Sequence, residues 1–466
     1  MNNDSVKNKL VIAIIGGGFA GTMLAVHFLQ QQIRPLHLII INSRYPLNKG
    51  IAYSSYSNKH LLNVRARSMS AFEDNPKHFT DWIRNHDKYA ALDQNELPDM
   101  FLPRNIYGYY LKDVFENAIR KKSPNVTLEF VHDEAIDMEI SGNQAQVYFS
   151  VSPPLSADKV ILALGNQDPR DPNFKNPSFI NSKRYFPNPW LNESVSHVEH
   201  LNQVLIIGNG LTMVDVVLGL REKNFIGKIY SLSPHGFKIL PHRKFEPYHH
   251  LVLDLQPPYN LEKLVKAFRK HVRKLKDAGV TGEAVVDSLR PLTQKIWMQL
   301  KKSEKERFLY HLRHMWGVAR HRLPKEIHQV IQQMILDDTL EILAGRIESV
   351  HENEDGAYFK IRKRNQNGLL ELKVDRVINC TGPESDLTRM KSELIQNLVS
   401  RKLIFPDELS LGINATQDGA IIQADGSLST NLFTIGTWLK GILWETTAVP
   451  EIRVQANQLV SKLVQE

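Results

Sequence analysis

Residues 10–21 decide the fold of this chain: Leu10-Val11-Ile12-Ala13-Ile14-Ile15 runs directly into Gly16-Gly17-Gly18-Phe19-Ala20-Gly21. A short apolar run that ends in glycines predicts a buried parallel strand, then a tight turn that opens a helix. In such a turn the backbone N–H groups and the helix N-terminus face a pyrophosphate. The pattern favours a nucleotide site over a purely structural turn. The residues expected to contact the nucleotide are Gly16, Gly18, Phe19, Ala20 and Gly21.

A second copy of this pattern begins at residue 204. Val204-Leu205-Ile206-Ile207 runs into Gly208-Asn209-Gly210, but Met213 occupies the position of the third glycine. That glycine serves helix–strand packing rather than phosphate contact. We therefore expect nucleotide contacts at Gly208, Gly210, Leu211 and Thr212, with a plain strand–helix turn as the alternative. Two dinucleotide sites in one chain favour hydride transfer between them, as in an NAD(P)H-dependent flavoprotein.

Composition narrows the class of protein. The chain has 466 residues, 42% of them hydrophobic, and carries a net charge of +8. It has one cysteine, Cys380, which excludes a disulfide framework or thiolate metal site within the chain and predicts a reducing, cytoplasmic location. No uninterrupted apolar run approaches about 18 residues, so we expect no membrane span. The basic charge lacks the interleaved aromatic residues of nucleic-acid binders, so we expect no nucleic-acid partner. No side chain stands out in the sequence as a metal ligand, so we expect no metal site.

Sequence patterns also predict further strands and helices along the chain. Alternation predicts an antiparallel meander of strands at 126–132, 135–141 and 145–151. Strands ending in small-residue turns are expected at Gly165 and Gly382, and another at Gly436. A helix from about residue 451 would turn its positive N-terminal dipole toward a reduced flavin. The segment 235–330 holds 20 Lys and Arg against 9 Asp and Glu, a net of +11. This segment reads either as solvated amphipathic helices or as a basic lid over an anionic substrate or cofactor phosphate.

The chain resembles the FAD/NAD(P)-binding proteins that include bacterial flavin-dependent urate hydroxylases and nitrosuccinate-forming aspartate N-oxygenases, and more distantly ornithine and lysine N-hydroxylases. The most specific match is the tail that runs from Gly441 through Trp444-Glu445-Thr446 to Arg453. The other matching segments are Gly16 to Gly21, Gly50 to Ser54, His60 to Val64, Phe79 to Trp82, Pro103 to Leu111, Ala163 to Asn166, Gly208 to Asp215, Leu289 to Pro291, Trp297, Arg307 with Phe308, Trp316, and Arg320 to Pro324.

The resemblance implies FAD at the first glycine turn and NADPH or NADH at the second. It implies an α/β fold with two dinucleotide-binding, Rossmann-like domains. The FAD-binding domain is then discontinuous, over residues 1–200 and 381–466, and the NAD(P)H-binding domain covers 201–380. A basic, mostly helical insert occupies about 236–335 of the second domain. Further cofactor contacts implied by the matching segments are Tyr53, Asn63, Arg104, Trp444, Glu445 and Thr446. Cofactor contacts are also expected at Asn42, Arg44, Gly165, Gly382 and Gly436.

Two positions depart from the usual pattern. A nucleotide site usually ends its second strand in Asp or Glu for the ribose hydroxyls, but here Asn42-Ser43-Arg44 stands there. Asn42 accepts a hydrogen bond more weakly than a carboxylate, which predicts looser FAD binding. At the second site, strand 228–232 ends in Ser233-Pro234-His235-Gly236, with no acid to reject a 2′-phosphate. This favours NADPH over NADH.

Several residues have two open interpretations. Arg320-His321-Arg322 is either a structural cap with carboxylate partners or a clamp on substrate or the NADPH phosphate. Arg65 and Arg104 lie in segments that the resemblance places near the flavin, where they either bind a ligand or pack in salt bridges. Trp444 either stacks beside the isoalloxazine or fills core.

These features and the resemblance imply an FAD-dependent NAD(P)H oxidoreductase. The leading expectation is a monooxygenase that hydroxylates a small polar nitrogen-containing or heteroaromatic substrate through a C4a-hydroperoxyflavin. Because that flavin species transfers the oxygen, the protein needs only to position substrate and exclude water, and the catalytic residues stay unknown. The alternatives are an NAD(P)H-dependent flavin reductase without hydroxylation and a non-catalytic FAD/NAD(P)-binding protein. The expected partners are a small molecule and O2, and the oligomeric state stays open.

Overall fold

The computed structural model describes residues 9–465, so residues 1–8 and 466, the two ends of the predicted FAD-binding domain, lie outside the described residues. The strands are β1 (Leu10–Ile15), β2 (Leu36–Ile41), β3 (Val126–Val131), β4 (Ala135–Ser141), β5 (Gln144–Phe149), β6 (Leu155–Ala157), β7 (Lys159–Leu162), β8 (Tyr185–Phe186), β9 (Gln203–Ile207), β10 (Lys228–Ser233), β11 (Leu340–Asn353), β12 (Gly356–Lys363), β13 (Leu369–Val374), β14 (Arg376–Asn379), β15 (Ala420–Ile422) and β16 (Leu428–Thr434).

Among the α-helices within the same range, the longest uninterrupted run follows β10. They are α1 (Phe19–Gln30), α2 (Gly50–Tyr53), α3 (His78–Arg84), α4 (Arg104–Arg120), α5 (Leu211–Glu222), α6 (His250–Asp254), α7 (Leu261–Asp277), α8 (Glu283–Ser288), α9 (Thr293–Gln299), α10 (Lys302–His311), α11 (Arg313–Arg320), α12 (Lys325–Leu336), α13 (Glu393–Ser400), α14 (Lys440–Leu443) and α15 (Val449–Gln465).

The first sheet contains the strand of the first glycine turn. Its order is β15-β16-β7-β1-β2-β3, with every pair parallel except the β15 edge. Helices α1, α4 and α15 cover one face, and the small sheet β4-β5-β6 with α13 covers the other. Because helices and the small sheet bury both faces, β1 and β2 are apolar almost throughout rather than alternating.

One strand prediction was wrong. The segment predicted at 126–132 is β3, which pairs in parallel with β2 in the first sheet and takes no part in the meander. The antiparallel meander is β4-β5-β6 instead. Apolar and polar residues alternate along β3 because it is an edge strand with one solvent-exposed face. A strand of an antiparallel meander shows the same alternation in sequence.

The second sheet repeats the arrangement around the second glycine turn. Its order is β13-β12-β11-β10-β9-β14-β8, in which β11, β10, β9, β14 and β8 run parallel and β12 and β13 add an antiparallel hairpin. Helices α5 and α12 pack on one face. The predicted α/β fold with two Rossmann-like sheets is confirmed.

The helical stretch α6–α11 forms its own small core. Trp297 and Leu300 of this insert pack with Leu411 and Trp444, which come from the chain after the second sheet. The insert therefore rests on the returning part of the first domain as well as on its own domain. The strand β8, at Tyr185–Phe186, pairs with β14, so we propose a domain boundary before residue 185 in place of residue 200.

Candidate functional site

At three positions of the first turn, the surrounding space explains why the residue is glycine. Gly16 has φ +111°, and a Cβ there would collide with the Ala163 carbonyl group. A Cβ at Gly21 would collide with the Gly16 carbonyl oxygen. Gly18 is the N-cap of α1, and a Cβ there would meet only the Cα of Gly50, at 3.7 Å. Gly16 and Gly21 thus allow the turn to close, whereas Gly18 leaves the helix N-terminus open.

The first turn opens into a cleft of about 730 Å³ at the carboxyl ends of β1, β2 and β7. The predicted residues that line it are Gly16, Gly18, Phe19, Ala20, Asn42, Arg44, Tyr53, Gly165 and Gly436. Val449 and Ile452 also line it, so the N-terminus of α15 reaches this cleft, near the predicted start at residue 451. Gly21 lies beneath the turn and does not line the cleft.

Asn42 organises the turn at the position where an acid was expected. Its Oδ1 accepts a hydrogen bond from the Gly17 N–H at 3.1 Å, and its Nδ2 donates to the Tyr45 carbonyl at 2.8 Å. The side-chain amide is therefore engaged with protein at both ends. A carboxylate could accept from Gly17 but could not donate to Tyr45.

The carboxylates of this cleft come from elsewhere, and the sequence reading missed them. Asp133 and Glu134, just past β3, and Asp168, past β7, line the same cleft. Asp168 pairs with Arg44 at 2.7 Å. Hydrogen bonds from Ser152 hold the pKa of Asp133 below its usual value. These acids lie at the cleft because β3 runs parallel to β2 in the first sheet. The local alternation of residues along β3 did not reveal that pairing.

The second turn repeats the geometry of the first. Gly208 has φ +109°, and a Cβ there would collide with the Cys380 carbonyl group, as Gly16 would with Ala163. Gly210 is the N-cap of α5 and has no atom within 4 Å of a Cβ built on it. Leu211 and Thr212 begin that helix. Gly382, in the loop after β14, has φ +95° with open space around it.

Arg104 and Asn63 lie on the seam between the domains rather than on the wall of the first cleft. The Arg104 guanidinium pairs with Asp215 of α5 at 2.9 Å, with both side chains largely buried. Nearby, the His60 ring nitrogen Nε2 lies 2.9 Å from the Asp215 carbonyl oxygen. The Asn63 carbonyl oxygen lies 3.2 Å from Nε2 of His242. These contacts tie the first domain to the helix of the second turn.

Trp444 belongs to the core of the insert. It is 9% exposed, and its ring stacks on Trp297 with centroids 4.8 Å apart and planes at 28°. Its backbone has φ 61°, which is strained for a bulky residue. Thr446 is buried and donates to the Gly436 carbonyl at 3.1 Å. Of the two interpretations left open for Trp444, the contacts support the core.

Glu445 and the cluster Arg320-His321-Arg322 face one another across the insert. Glu445 accepts from Trp316 Nε1 at 3.1 Å and lies 3.6 Å from Arg320. His321 keeps an accessible side, yet desolvation by surrounding protein, together with Arg320, lowers its pKa to about 4. Arg320 is thus already paired with a carboxylate of the tail.

Arg322 is a structural cation. It is 2% exposed, donates from Nε to the Ala319 carbonyl at 2.8 Å, and forms a two-point ion pair with Asp287. Arg65 pairs with Asp99 at 2.5 Å, and Arg67 shares that carboxylate at 2.6 Å. The contacts of Arg322 and Arg65 support the packing and salt-bridge interpretation. Among residues 9–465, no group of three or more His, Cys, Asp or Glu side chains is placed to hold a metal ion, and no helix is long and apolar enough to cross a membrane.

Two sheets, each with an open glycine turn at the start of a helix, define a protein of the two-dinucleotide class. Residues 13–167 match the protein family described as FAD-NAD(P)-binding. This match confirms the predicted likeness to FAD/NAD(P)-binding proteins and the predicted class of cofactors. Uncharacterised proteins of Mycobacterium tuberculosis and Mycobacterium bovis are each 20% identical over 425 residues, which cover 81% of this chain and 76% of the relative.

Solved structures share the architecture over almost the whole chain. The ornithine N-hydroxylase of Kutzneria sp. 744 superposes with a TM-score of 0.67 at 13% identity, over 97% of this chain and 98% of that one. The L-lysine 6-monooxygenase of Pseudomonas syringae gives 0.65 at 14% identity, over 97% and 99%. The bacillithiol disulfide reductase of Bacillus cereus gives 0.53 at 13% identity, over 98% and 99%. This chain therefore shares its fold with N-hydroxylating monooxygenases and with this disulfide reductase.

Proposed function

We propose that this protein is an FAD-dependent NAD(P)H oxidoreductase that acts as a monooxygenase on a small polar, nitrogen-containing or heteroaromatic substrate, with O2 as the second substrate. The observation that carries the proposal is the pair of matching glycine turns, in which Gly18 and Gly210 leave two helix N-termini sterically open within one chain. A structural turn needs the close packing of Gly16 and Gly208 but not this open space. The likeness to urate hydroxylases and aspartate N-oxygenases remains part of the proposal.

The first cleft fits FAD. The N–H groups at the start of α1 lie beside the open space at Gly18, where a pyrophosphate would take charge-assisted hydrogen bonds without meeting a Cβ. Glu134 would serve the ribose hydroxyls, since the Asn42 amide and the Asp133 carboxylate are both engaged with protein. The N-terminus of α15, at Val449, would face the isoalloxazine end. FAD, when bound there, would accept a hydride from NAD(P)H and supply the chemistry toward O2.

The chain's own contribution is positioning and exclusion of water. The Arg104–Asp215 pair fixes α5, and with it the second turn, against the first domain. The insert packs on the tail, where Trp297 stacks on Trp444. Its net positive charge suits a substrate that carries a carboxylate. Such sequestration protects a reactive intermediate from water.

The test begins with the absorption spectrum of the purified protein, with added FAD if needed, before and after anaerobic NADPH. We expect a flavin spectrum that NADPH bleaches. On readmission of air with a panel of amines, amino acids and heteroaromatic acids, mass spectrometry should find one product heavier by a single oxygen atom. A protein that takes up no FAD would refute the proposal.

Gly18→Val supplies the matched control for this experiment. Its side chain would enter the cleft while its Cβ meets only ordinary contact with Gly50, so the fold should persist without flavin. NADPH oxidation without any oxygenated product would favour the flavin reductase alternative, a function consistent with the likeness to the bacillithiol disulfide reductase. Flavin bound but never reduced would favour the non-catalytic alternative.

A further inference from the structure

Cations gather at the carboxyl end of β10, the second strand of the second dinucleotide fold. This strand ends at Ser233, and His235 follows two residues later. In dinucleotide folds this strand end faces the 2′ position of the adenosine ribose. The sequence directly after β10 has no arginine, so the residues of this turn alone do not predict the cation cluster.

Two arginines reach this point from the neighbouring hairpin of β11 and β12. Ala344 of β11 pairs with Ser233 in the parallel register, which puts the following residue pair, Gly345 and Arg346, just beyond the end of β10. Arg364 leaves β12 and its N–H donates to the Ala344 carbonyl at 2.8 Å. Both guanidinium groups act electrostatically on His235.

The contacts of His235 determine which ring nitrogen carries the hydrogen. The Arg364 guanidinium, which can only donate, lies 2.5 Å from His235 Nδ1. Nδ1 is therefore the acceptor, and Nε2 carries the N–H of the neutral ring. The ring stacks on Phe237 at 5.2 Å and 9°, and the His314 ring of the insert lies 4.7 Å away. The orientation of this imidazole is fixed on two sides.

Arg346 and Arg364 differ in their ion pairs from their neighbour Arg362. None of the ion pairs formed within residues 9–465 includes Arg346 or Arg364, although their neighbour Arg362 pairs with Glu348 at 2.7 Å. Two accessible guanidinium groups without a carboxylate, beside a fixed imidazole donor, are suited to a dianion.

We propose that Arg346, Arg364 and His235 form the binding site for the 2′-phosphate of NADP(H), and so select NADPH over NADH. This inference rests on the proposed function for the second turn and extends it to cofactor specificity. The phosphate would take hydrogen bonds from both guanidinium groups and from His235 Nε2. Binding would also bring the phosphate beside His314, which links cofactor binding to the insert.

The test uses two ligands that differ only in this phosphate: adenosine 2′,5′-bisphosphate and adenosine 5′-monophosphate. Isothermal titration calorimetry of the wild-type protein should give at least tenfold tighter binding of the bisphosphate. Arg364→Ala and Arg346→Ala should each reduce the affinity for the bisphosphate by about tenfold or more and leave that for the monophosphate unchanged. Arg362→Ala, a change of the same charge two residues away on the same hairpin, should leave both unchanged.

The proposal would be overturned by equal wild-type affinities for the two ligands, by no measurable binding of either, or by an equal loss for both ligands in Arg364→Ala. A loss of bisphosphate affinity in Arg362→Ala as large as in Arg364→Ala would also do so, because it would reflect general surface charge. The measurement needs neither flavin nor turnover. A protein that binds the bisphosphate selectively but never oxidises NADPH would contradict the proposed function alone.

Discussion

Replacement of Arg104 by Met tests whether this residue joins the domains or binds a cofactor. Its guanidinium lies 2.9 Å from Asp215 Oδ2, and the two side chains are 15% and 10% exposed. Its Nε donates to the Leu61 carbonyl at 3.1 Å, and the group lies 5.8 Å from the centroid of the Trp190 ring. Arg104→Met keeps most of the apolar volume but leaves the Asp215 carboxylate buried without a cation.

The size of the effect follows from that burial. Removal of one partner from a buried ion pair costs about 3–5 kcal/mol, because the remaining charge stays desolvated. We expect the lower part of this range, about 3 kcal/mol, since both groups keep some contact with water. The double variant Arg104→Met with Asp215→Leu removes both charges and should recover most of the loss.

The assay is urea unfolding followed by far-ultraviolet circular dichroism, with variants compared at their first transition because the chain has two domains. Arg84→Met is the control: it breaks the half-exposed pair with Asp81 at 3.0 Å and should cost less than about 1 kcal/mol. If Arg104→Met lowers the free energy of unfolding no more than Arg84→Met does, Arg104 does not join the domains. Loss of FAD affinity with unchanged stability would instead make Arg104 a cofactor ligand, as the sequence resemblance implied.

Three further predictions concern the first glycine turn, Arg322 and His242. Gly18→Val should abolish FAD binding in a fluorescence titration with little change in melting temperature, whereas Gly21→Val should unfold the first domain, because its Cβ would collide with backbone. Arg322→Lys should lower the melting temperature and leave NADPH affinity intact, since lysine cannot reproduce the two-point pair with Asp287; an affinity loss at constant stability would restore the clamp interpretation. Desolvation and Arg322 lower the pKa of His242 to about 4, so the unfolded chain binds more protons than the folded one between about pH 6.5 and 4. Stability should fall across that window as the pH falls, and His242→Gln should flatten the fall in urea unfolding measured at several pH values.

The local pattern of residues was enough to predict the two glycine turns and the elements next to them. The apolar run Leu10–Ile15 is β1 over its full length, and Val204–Ile207 lies within β9. Such elements are predictable because apolar runs and glycines act on the backbone within a few residues, through burial on both sheet faces and through steric exclusion of Cβ.

Contacts between distant segments decided the rest. β3 joined the first sheet instead of the meander because its pairing with β2 depends on a crossover of more than eighty residues, which local alternation does not record. Trp444 entered the insert core because Trp297, from another helix, meets it there. Arg346 and Arg364 gather at His235 only because two parallel strands align their ends. The sequence by itself determined the two dinucleotide folds, since each depends on short-range sterics and burial. The tertiary structure alone decided which charges stand opposite each other, because Coulombic and hydrogen-bond partners depend on distance in space and carry no fixed spacing along the chain.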